Sequence, residues 1–401
     1  MATFAASWHT SEAAVSRIVA IEAGTLLTPA NRFSPGRVII DGNSIAEAGA
    51  AETIRIPAAA DTVDASQFIV APGFIDPHIH GFGGVDVMEG SWESLDAISR
   101  IVVRHGTTAF LPTTVSAPAE ILNRAVEKLG VLMTKSFEGA RPLGIHLEGP
   151  FISVAKRGTH KATNVTVPDA SLLERWIQAS SQSIRLLTLA PELDGINAVI
   201  KTAKASRITV GMGHSNATLD QARSACAHGV CYAVHTFNAM REFTHRDPGI
   251  VGEVLANDGI FAEIIADGIH VNPSVVRLFA RAKQKSKVLL VTDAISATDM
   301  PDGRYVLGTD TVEVVDGVCR DAEGRLAGST LSQEVALKNF VEWTGWTLED
   351  ALLAVTANPA KALGLENKGV IEAGADADIA IMDRNFRVVK TFVGGKLVWT
   401  S

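Results

Sequence analysis

The sequence predicts a parallel (β/α)8 barrel of the TIM type, flanked by a small β-sandwich built from both ends of the chain. Three observations carry that expectation. Short apolar runs recur at 73–80, 107–113, 143–148, 184–190, 208–214, 230–235, 261–266 and 287–293, and amphipathic stretches follow most of them. Polar side chains suited to metal binding end five of these runs, and a barrel brings strand ends together on one face. Both chain ends, in contrast, read as strands and turns without helical periodicity. A doubly wound sheet could give similar alternation, but it would not gather five strand ends around one point.

Taken in order, residues 1–16 carry no periodicity and are expected to form a loose extension. From Arg17 the text turns to strands: Ile18-Val-Ala-Ile, Gly36-Arg-Val-Ile-Ile-Asp-Gly and Thr62-Val-Asp. Segments of the same character close the chain, at 378–383, 388–393 and 396–399. The expected division is therefore 17–71 with 366–401 for the sandwich and 72–365 for the barrel. Helical periodicity appears at 92–105, 119–135, 171–180, 196–205 and 273–283. The link at 238–259 is less regular, and the eighth run is followed by a long loop and then by a helical stretch at 331–343.

Composition narrows the function. A formal net charge of −8 leaves no surplus of Lys and Arg to displace counterions from a nucleic acid, so that class of partner is not expected. A small anion needs only a few well-placed cations. No run of about 18 apolar residues could span a bilayer, so no membrane partner is expected either. Residues 1–20 lack the basic and continuous apolar regions of a signal peptide, and a cytoplasmic location is expected. The three cysteines, Cys226, Cys231 and Cys319, form no CxxC pair. They suit neither a disulfide scaffold nor a zinc ribbon, and Cys226 and Cys231 are read as small buried hydrophobes.

The chemistry sits at the strand ends. In Pro72-Gly-Phe-Ile-Asp-Pro-His-Ile-His-Gly81, His78 and His80 are two residues apart. On a strand they point to the same face, so both imidazoles can reach one cation. Glu148 ends the third run just before Gly-Pro, which stops a helix, and would point into the barrel mouth as a metal ligand. His214 and His235 end the fifth and sixth runs and add two neutral nitrogens of the kind zinc or iron prefers. Asp293 ends the eighth run; a carboxylate there can accept a proton from an attacking water and return it to a leaving amine.

These motifs, with Lys156-Arg-Gly-Thr-His160, Gly213-His-Ser-Asn-Ala217, His235-Thr-Phe-Asn-Ala-Met240, His245-Arg-Asp-Pro-Gly249, Asp267-Gly-Ile-His270 and Leu326-Ala-Gly-Ser329, resemble the N-acetylglucosamine-6-phosphate deacetylase family of the amidohydrolase superfamily. The resemblance runs from about residue 72 to 330. Single motifs such as Pro-Gly-Phe-Ile-Asp are shared widely, whereas the combination is specific. It implies hydrolysis of N-acetylglucosamine 6-phosphate to glucosamine 6-phosphate and acetate in amino sugar catabolism. The galacto epimer, or another amide, is the alternative substrate; a dead scaffold would have lost metal ligands that this chain keeps.

The resemblance also assigns residues. Glu148, His214 and His235 are the main ligands of one divalent ion, most simply Zn2+ or else Fe2+. His78 and His80 fit a second ion, with Glu148 in place of the carboxylated lysine that bridges two metals in many relatives. His160 polarises the amide carbonyl. The backbone amides of Asn238 and Ala239, with Arg246 and His270, hold the sugar phosphate, and Arg246 and His270 are implied to act across a homodimer interface. Leu326, Ala327 and Ser329 belong to a loop that closes over the substrate. Asp247 stands where the family often has Glu.

Overall fold

The computed structural model describes residues 17–401, so the expected N-terminal extension lies outside the described residues. The two chain ends do meet. Ile18–Leu27 runs parallel to Asp61–Pro72, and Ile379–Met382 pairs antiparallel with the end of that same strand, Ile379 opposite Pro72. The result is one eight-stranded, mostly antiparallel sheet, with Lys396–Thr400 at one edge and Ser44–Ala50 at the other. Val19, Ile21, Val38, Ile40, Val70, Ile379, Ile381 and Phe392 form its apolar cluster. The alternate positions Ala20 and Ile39 pack on the opposite face, as period-two side-chain direction requires.

Asp61–Pro72 passes directly into the barrel through Gly73. A Cβ at Gly73 would lie 2.2 Å from the Thr108 side chain, so only glycine lets the first two barrel strands approach here. The eight barrel strands are Phe74–Ile79, Thr107–Thr114, Ile145–Glu148, Ile184–Leu189, Thr209–Met212, Tyr232–Ala233, Phe261–Ile264 and Val288–Leu290. They pair in parallel in that sequence. Closure between the eighth and the first comes from the Ile79–Ala294 bridge and from the Asp293 amide donating to the His78 carbonyl at 3.0 Å. Leu111, Leu186, Tyr232 and Leu289, from the second, fourth, sixth and eighth strands, cluster with Leu363 inside the barrel. Contribution from alternate strands is how a barrel of this type fills its interior.

The helices follow their periodicity closely, with local caps deciding where they begin. Ser91, Asp169 and Thr218 each accept from the first turn of Trp92–Val102, Ala170–Ala179 and Leu219–His228, and Thr218 with Gln221 completes a capping box.

Three local expectations need correction. The irregular link contains the helix Gly249–Ala256, which is buried on nearly every side and therefore shows no polar face. The long loop after the eighth strand contains a three-stranded antiparallel sheet, Gly303–Leu307, Asp310–Val315 and Val318–Arg320. Its signal was present: Asp316-Gly317 takes positive φ at both residues (51° and 72°), the turn that joins twisted hairpin strands. Finally, Cys231 is exposed and Cys226 only half-buried, so the first is no core residue.

Candidate metal centre and active site

At the C-terminal rim of the barrel, His78, His80, Glu148, His214, His235 and Asp293 converge, all of them buried. His78 and His80 share a face of the first strand, and their Nε2 atoms are 3.3 Å apart. The third strand ends on Glu148 itself. The fifth, sixth and eighth ladders, however, stop at Met212, Ala233 and Leu290, short of the residues expected to end them. Beyond those ladders the backbone turns left-handed at His214 (φ 45°), His235 (φ 27°) and Asp293 (φ 51°). Such conformations cost a non-glycine residue about 1–3 kcal/mol each, and here they aim three side chains into the mouth.

The donor atoms fall into two adjoining sets that share Glu148. In one, Glu148 Oε1 lies 3.2 Å from His214 Nε2 and 3.1 Å from His235 Nε2, and those two nitrogens are 3.1 Å apart. In the other, Asp293 Oδ1 is 3.3 Å from His80 Nε2 and 3.6 Å from His78 Nε2, while Glu148 Oε2 is 3.3 Å from His80 Nε2. Tetrahedral ligands at a bond length of about 2.0–2.1 Å stand roughly 3.3 Å from one another, so these spacings fit divalent-ion coordination. The donor chemistry fits as well, because nitrogen lone pairs this close repel unless a positive charge lies among them.

Outer contacts fix which nitrogen points inward. His80 Nδ1 donates to the Thr113 carbonyl (3.1 Å), His214 Nδ1 to the Lys156 carbonyl (3.1 Å) and His78 Nδ1 to Glu263 Oε2 (2.9 Å). Each, in its neutral form, therefore turns an Nε2 lone pair to the centre. His160 is the opposite case. Its Nδ1 accepts from the Ser116 amide at 3.0 Å, so the neutral ring carries its proton on Nε2, which faces Glu148 Oε2 at 3.4 Å. Proximity alone would count His160 among the ligands, but its tautomer makes it a hydrogen-bond donor into the cavity.

The protonation pattern set by the side chains alone reflects their crowded charges. Burial opposes protonation of His80, but hydrogen bonds to Asp293 and Glu148 outweigh it and hold its pKa at about 9. His78 is raised well above the usual value, the pull of Glu263 and Glu148 overcoming burial. Burial lowers His214 to about 4. Against burial, the charges of His78 and His214 keep Glu148 well below the usual carboxylate range, and His78 and His80 hold Asp293 at about 2. Both carboxylates are ionised at neutral pH.

A cavity of about 300 Å3 lies over this centre. Of the residues expected to meet the substrate, His160, Asn238, Ala239, His270 and Leu326 line it. Four expectations fare differently. Arg246 is exposed and does not line this cavity, whereas His270 does. The Asn238 amide is committed to the His235 carbonyl at 2.9 Å and is not available to an anion. Ala327 and Ser329 do not line the cavity either. In the segment bridged to Ala294, Leu326 and Gly328 line the cavity, and the chain bends at Gly328 (φ 55°), so that Ala327 and Ser329 do not. The Ser329 hydroxyl instead donates to the Thr292 carbonyl at 2.5 Å, so this segment is pinned to the barrel and does not hang over it as a free loop.

Sequence reasoning missed Glu263, which is fully buried beneath the site. Its carboxylate accepts from His78 Nδ1, from the His235 amide (2.9 Å) and from the Tyr232 hydroxyl (2.6 Å). The available signal was a lone charge inside the apolar run Phe261-Ala-Glu-Ile-Ile. Thr159, Gly158 and Arg325 also line the cavity unforeseen. Asp76 accepts from the Thr292 hydroxyl at 2.6 Å, tying the first strand to the eighth, and burial raises its carboxyl to about 7.

Comparison with known proteins agrees with this fold. The amidohydrolase family model matches residues 69–398. A human protein named N-acetylglucosamine-6-phosphate deacetylase is 40% identical over 352 residues, covering 84% of this chain and 85% of the relative. An Escherichia coli protein named N-acetylgalactosamine-6-phosphate deacetylase is 36% identical over 330 residues, covering 82% and 87%. A mutant N-acetyl-D-glucosamine-6-phosphate deacetylase from Mycobacterium smegmatis, solved in complex with N-acetyl-D-glucosamine-6-phosphate, superposes with a TM-score of 0.89 at 32% identity, covering 96% of this chain and all of that one. The chain belongs to the amidohydrolase family, within the group formed by the N-acetylglucosamine-6-phosphate deacetylases.

Proposed function

We propose that this chain is a metal-dependent deacetylase that hydrolyses N-acetylglucosamine 6-phosphate to glucosamine 6-phosphate and acetate. The observation that carries this reading is the division of labour at the rim. Two ligand sets share Glu148, the second includes an ionised Asp293, and beside them stands a His160 whose proton faces inward.

Glu148, His214 and His235 would hold one divalent ion, which we take to be zinc. His78 and His80, with Asp293 and the second Glu148 oxygen, would hold another. When bound, such an ion lowers the pKa of water from about 15.7 towards ~7 and polarises the carbonyl. Asp293 accepts the proton of the attacking water and then passes it to the departing amine nitrogen. His160 Nε2–H donates to the carbonyl oxygen as it gains negative charge, a contribution typically worth about 3–4 kcal/mol for one such donor. His270, the Asn238 side chain and the Ala239 amide are the groups we assign to orienting the sugar phosphate. The exposure of Arg246 supports the reading that it serves the site of a second subunit in a homodimer, where a guanidinium suits a phosphate. Three free thiols suit a reducing cytoplasm.

The test pairs elemental analysis of the purified protein with acetate release from the phosphorylated sugar. Metal-loaded protein that releases no acetate would remove this reading. The Escherichia coli relative makes the galacto epimer the competing substrate. A higher kcat/KM for that epimer would reassign the sugar while leaving the chemistry in place.

A further inference from the structure

A second cavity, of about 440 Å3, adjoins the one over the ligands. The two share Val115, Thr159, His160, Leu307 and Arg325 and are neighbouring parts of one mouth. The cyclic order of the barrel decides which end of a substrate meets which part. Asn238, Ala239 and His270 follow the sixth and seventh strands, whereas Val115 and His160 follow the second and third. In a closed ring of eight, the second strand stands opposite the sixth and the third opposite the seventh.

The acyl carbon of the substrate is trigonal. Its oxygen meets His160, and its nitrogen leads back through the sugar to the phosphate. With the sugar phosphate on the side of the sixth and seventh strands, the space left for the third substituent, the acyl chain, is on the side of the second and third strands, where the larger cavity opens. That cavity offers apolar surface from Val115, Leu307, Val312 and Ala162. Its cations are already engaged: Lys161 pairs with Asp310, Arg157 with Glu323, and Arg325 with Asp321 at 2.7 Å. Nothing in this set of cations asks for a charged ligand, and the methyl of an acetyl group needs only a small part of the space.

We propose that the second cavity is an acyl subsite, so that the chain hydrolyses N-acyl glucosamine 6-phosphates whose uncharged acyl groups are longer than acetyl. This rests on the deacetylase reading above. The chemistry is unchanged: the oxygen of water bonds to the acyl carbon, the C–N bond breaks, the amine takes the proton, and the longer carboxylic acid departs.

The experiment measures kcat/KM for the N-acetyl, N-propionyl and N-butyryl sugar phosphates, in the wild type and in Ala162→Trp. Ala162 is exposed at the lip of the second cavity and does not line the first, so added bulk there spares the core and the ligands. In the wild type, N-butyryl turnover is expected within about tenfold of N-acetyl turnover. A pocket closed around acetyl would instead reject each further methylene by about 10-fold or more. In Ala162→Trp, N-butyryl turnover should fall at least about tenfold with N-acetyl turnover held within about twofold, the contrast that one apolar methylene or two can generate. A wild-type N-butyryl value about a hundredfold below N-acetyl would overturn the subsite. So would an equal loss of both activities in the variant. Failure of the metal-loaded wild type on the N-acetyl substrate would instead overturn the deacetylase reading, and is told apart by that result.

Discussion

Glu263→Gln tests whether the residue beneath the site tunes it. The side chain is fully buried, and the substitution keeps its shape while removing its charge. The remaining oxygen can still accept from His78 Nδ1 and from the His235 amide, which both use Oε2 in the native protein. The new amide group then faces the Tyr232 hydroxyl, which can turn from donor to acceptor. Little packing is lost, so stability should change by no more than about 1–2 kcal/mol, the scale of one altered hydrogen bond. The ligand field changes more. His78 loses the carboxylate that makes its inward nitrogen basic, and removal of such outer partners typically costs about 10–100-fold in metal affinity, or roughly 1.4–2.7 kcal/mol. Competition against a chromophoric chelator reads the affinity, and urea unfolding of the metal-free protein reads the stability. Tyr232→Phe is the control: it touches Glu263 without touching a ligand and should lower stability by about 1.5–3 kcal/mol, because it leaves the buried Oε1 without its donor, while metal affinity falls less than in Glu263→Gln. Metal affinity within twofold of wild type in Glu263→Gln would refute the claim that this carboxylate acts through His78.

Four further outcomes are expected. Asp293→Asn should lower kcat by about 10²–10⁴-fold, since the amide cannot take the proton of water; near-normal acetate release would remove Asp293 from that role. His160→Gln should lower kcat by roughly 10²–10³-fold with metal content intact, and a change confined to KM would make His160 a binding residue only. Metal uptake at pH 7.5 should release protons, because His80, with a pKa of about 9 against an ordinary 6.5, is protonated in the metal-free site and must lose that proton to coordinate. Calorimetry in buffers of different ionisation enthalpy reads this release, and none would mean His80 is not a ligand. The same imidazolium stabilises the metal-free fold in full below about pH 6.5 and ceases to as pH rises through about 9. Gly73→Ala should destabilise by about 1–3 kcal/mol, because its Cβ meets the Thr108 side chain at 2.2 Å. Unchanged unfolding would show that the strands can part there.

Much of the site was legible because barrel strands are short, apolar and regular, so a polar residue closing one stands out. Glu148 and the His78–His80 pair needed nothing more than strand periodicity. Glu263 escaped because it sits inside a run, where a single charge reads as noise until its three donors are known. The helix Gly249–Ala256 escaped because burial on nearly every side erases the polar face by which helices are read. The three-stranded sheet over the mouth was passed over as a loop although Asp316-Gly317 marked its hairpin.

The order of apolar runs and the residues that end them determined the barrel, its rim and the set of candidate ligands, because strand alternation and barrel closure are local and topological facts. Tertiary structure alone decided the roles within that set. Whether an imidazole coordinates or donates depends on what its other nitrogen meets, and those partners, the Thr113 and Lys156 carbonyls and the Ser116 amide, come from segments remote in the chain. No pattern along the sequence encodes that choice, because it is made by atoms that become neighbours only when the barrel closes.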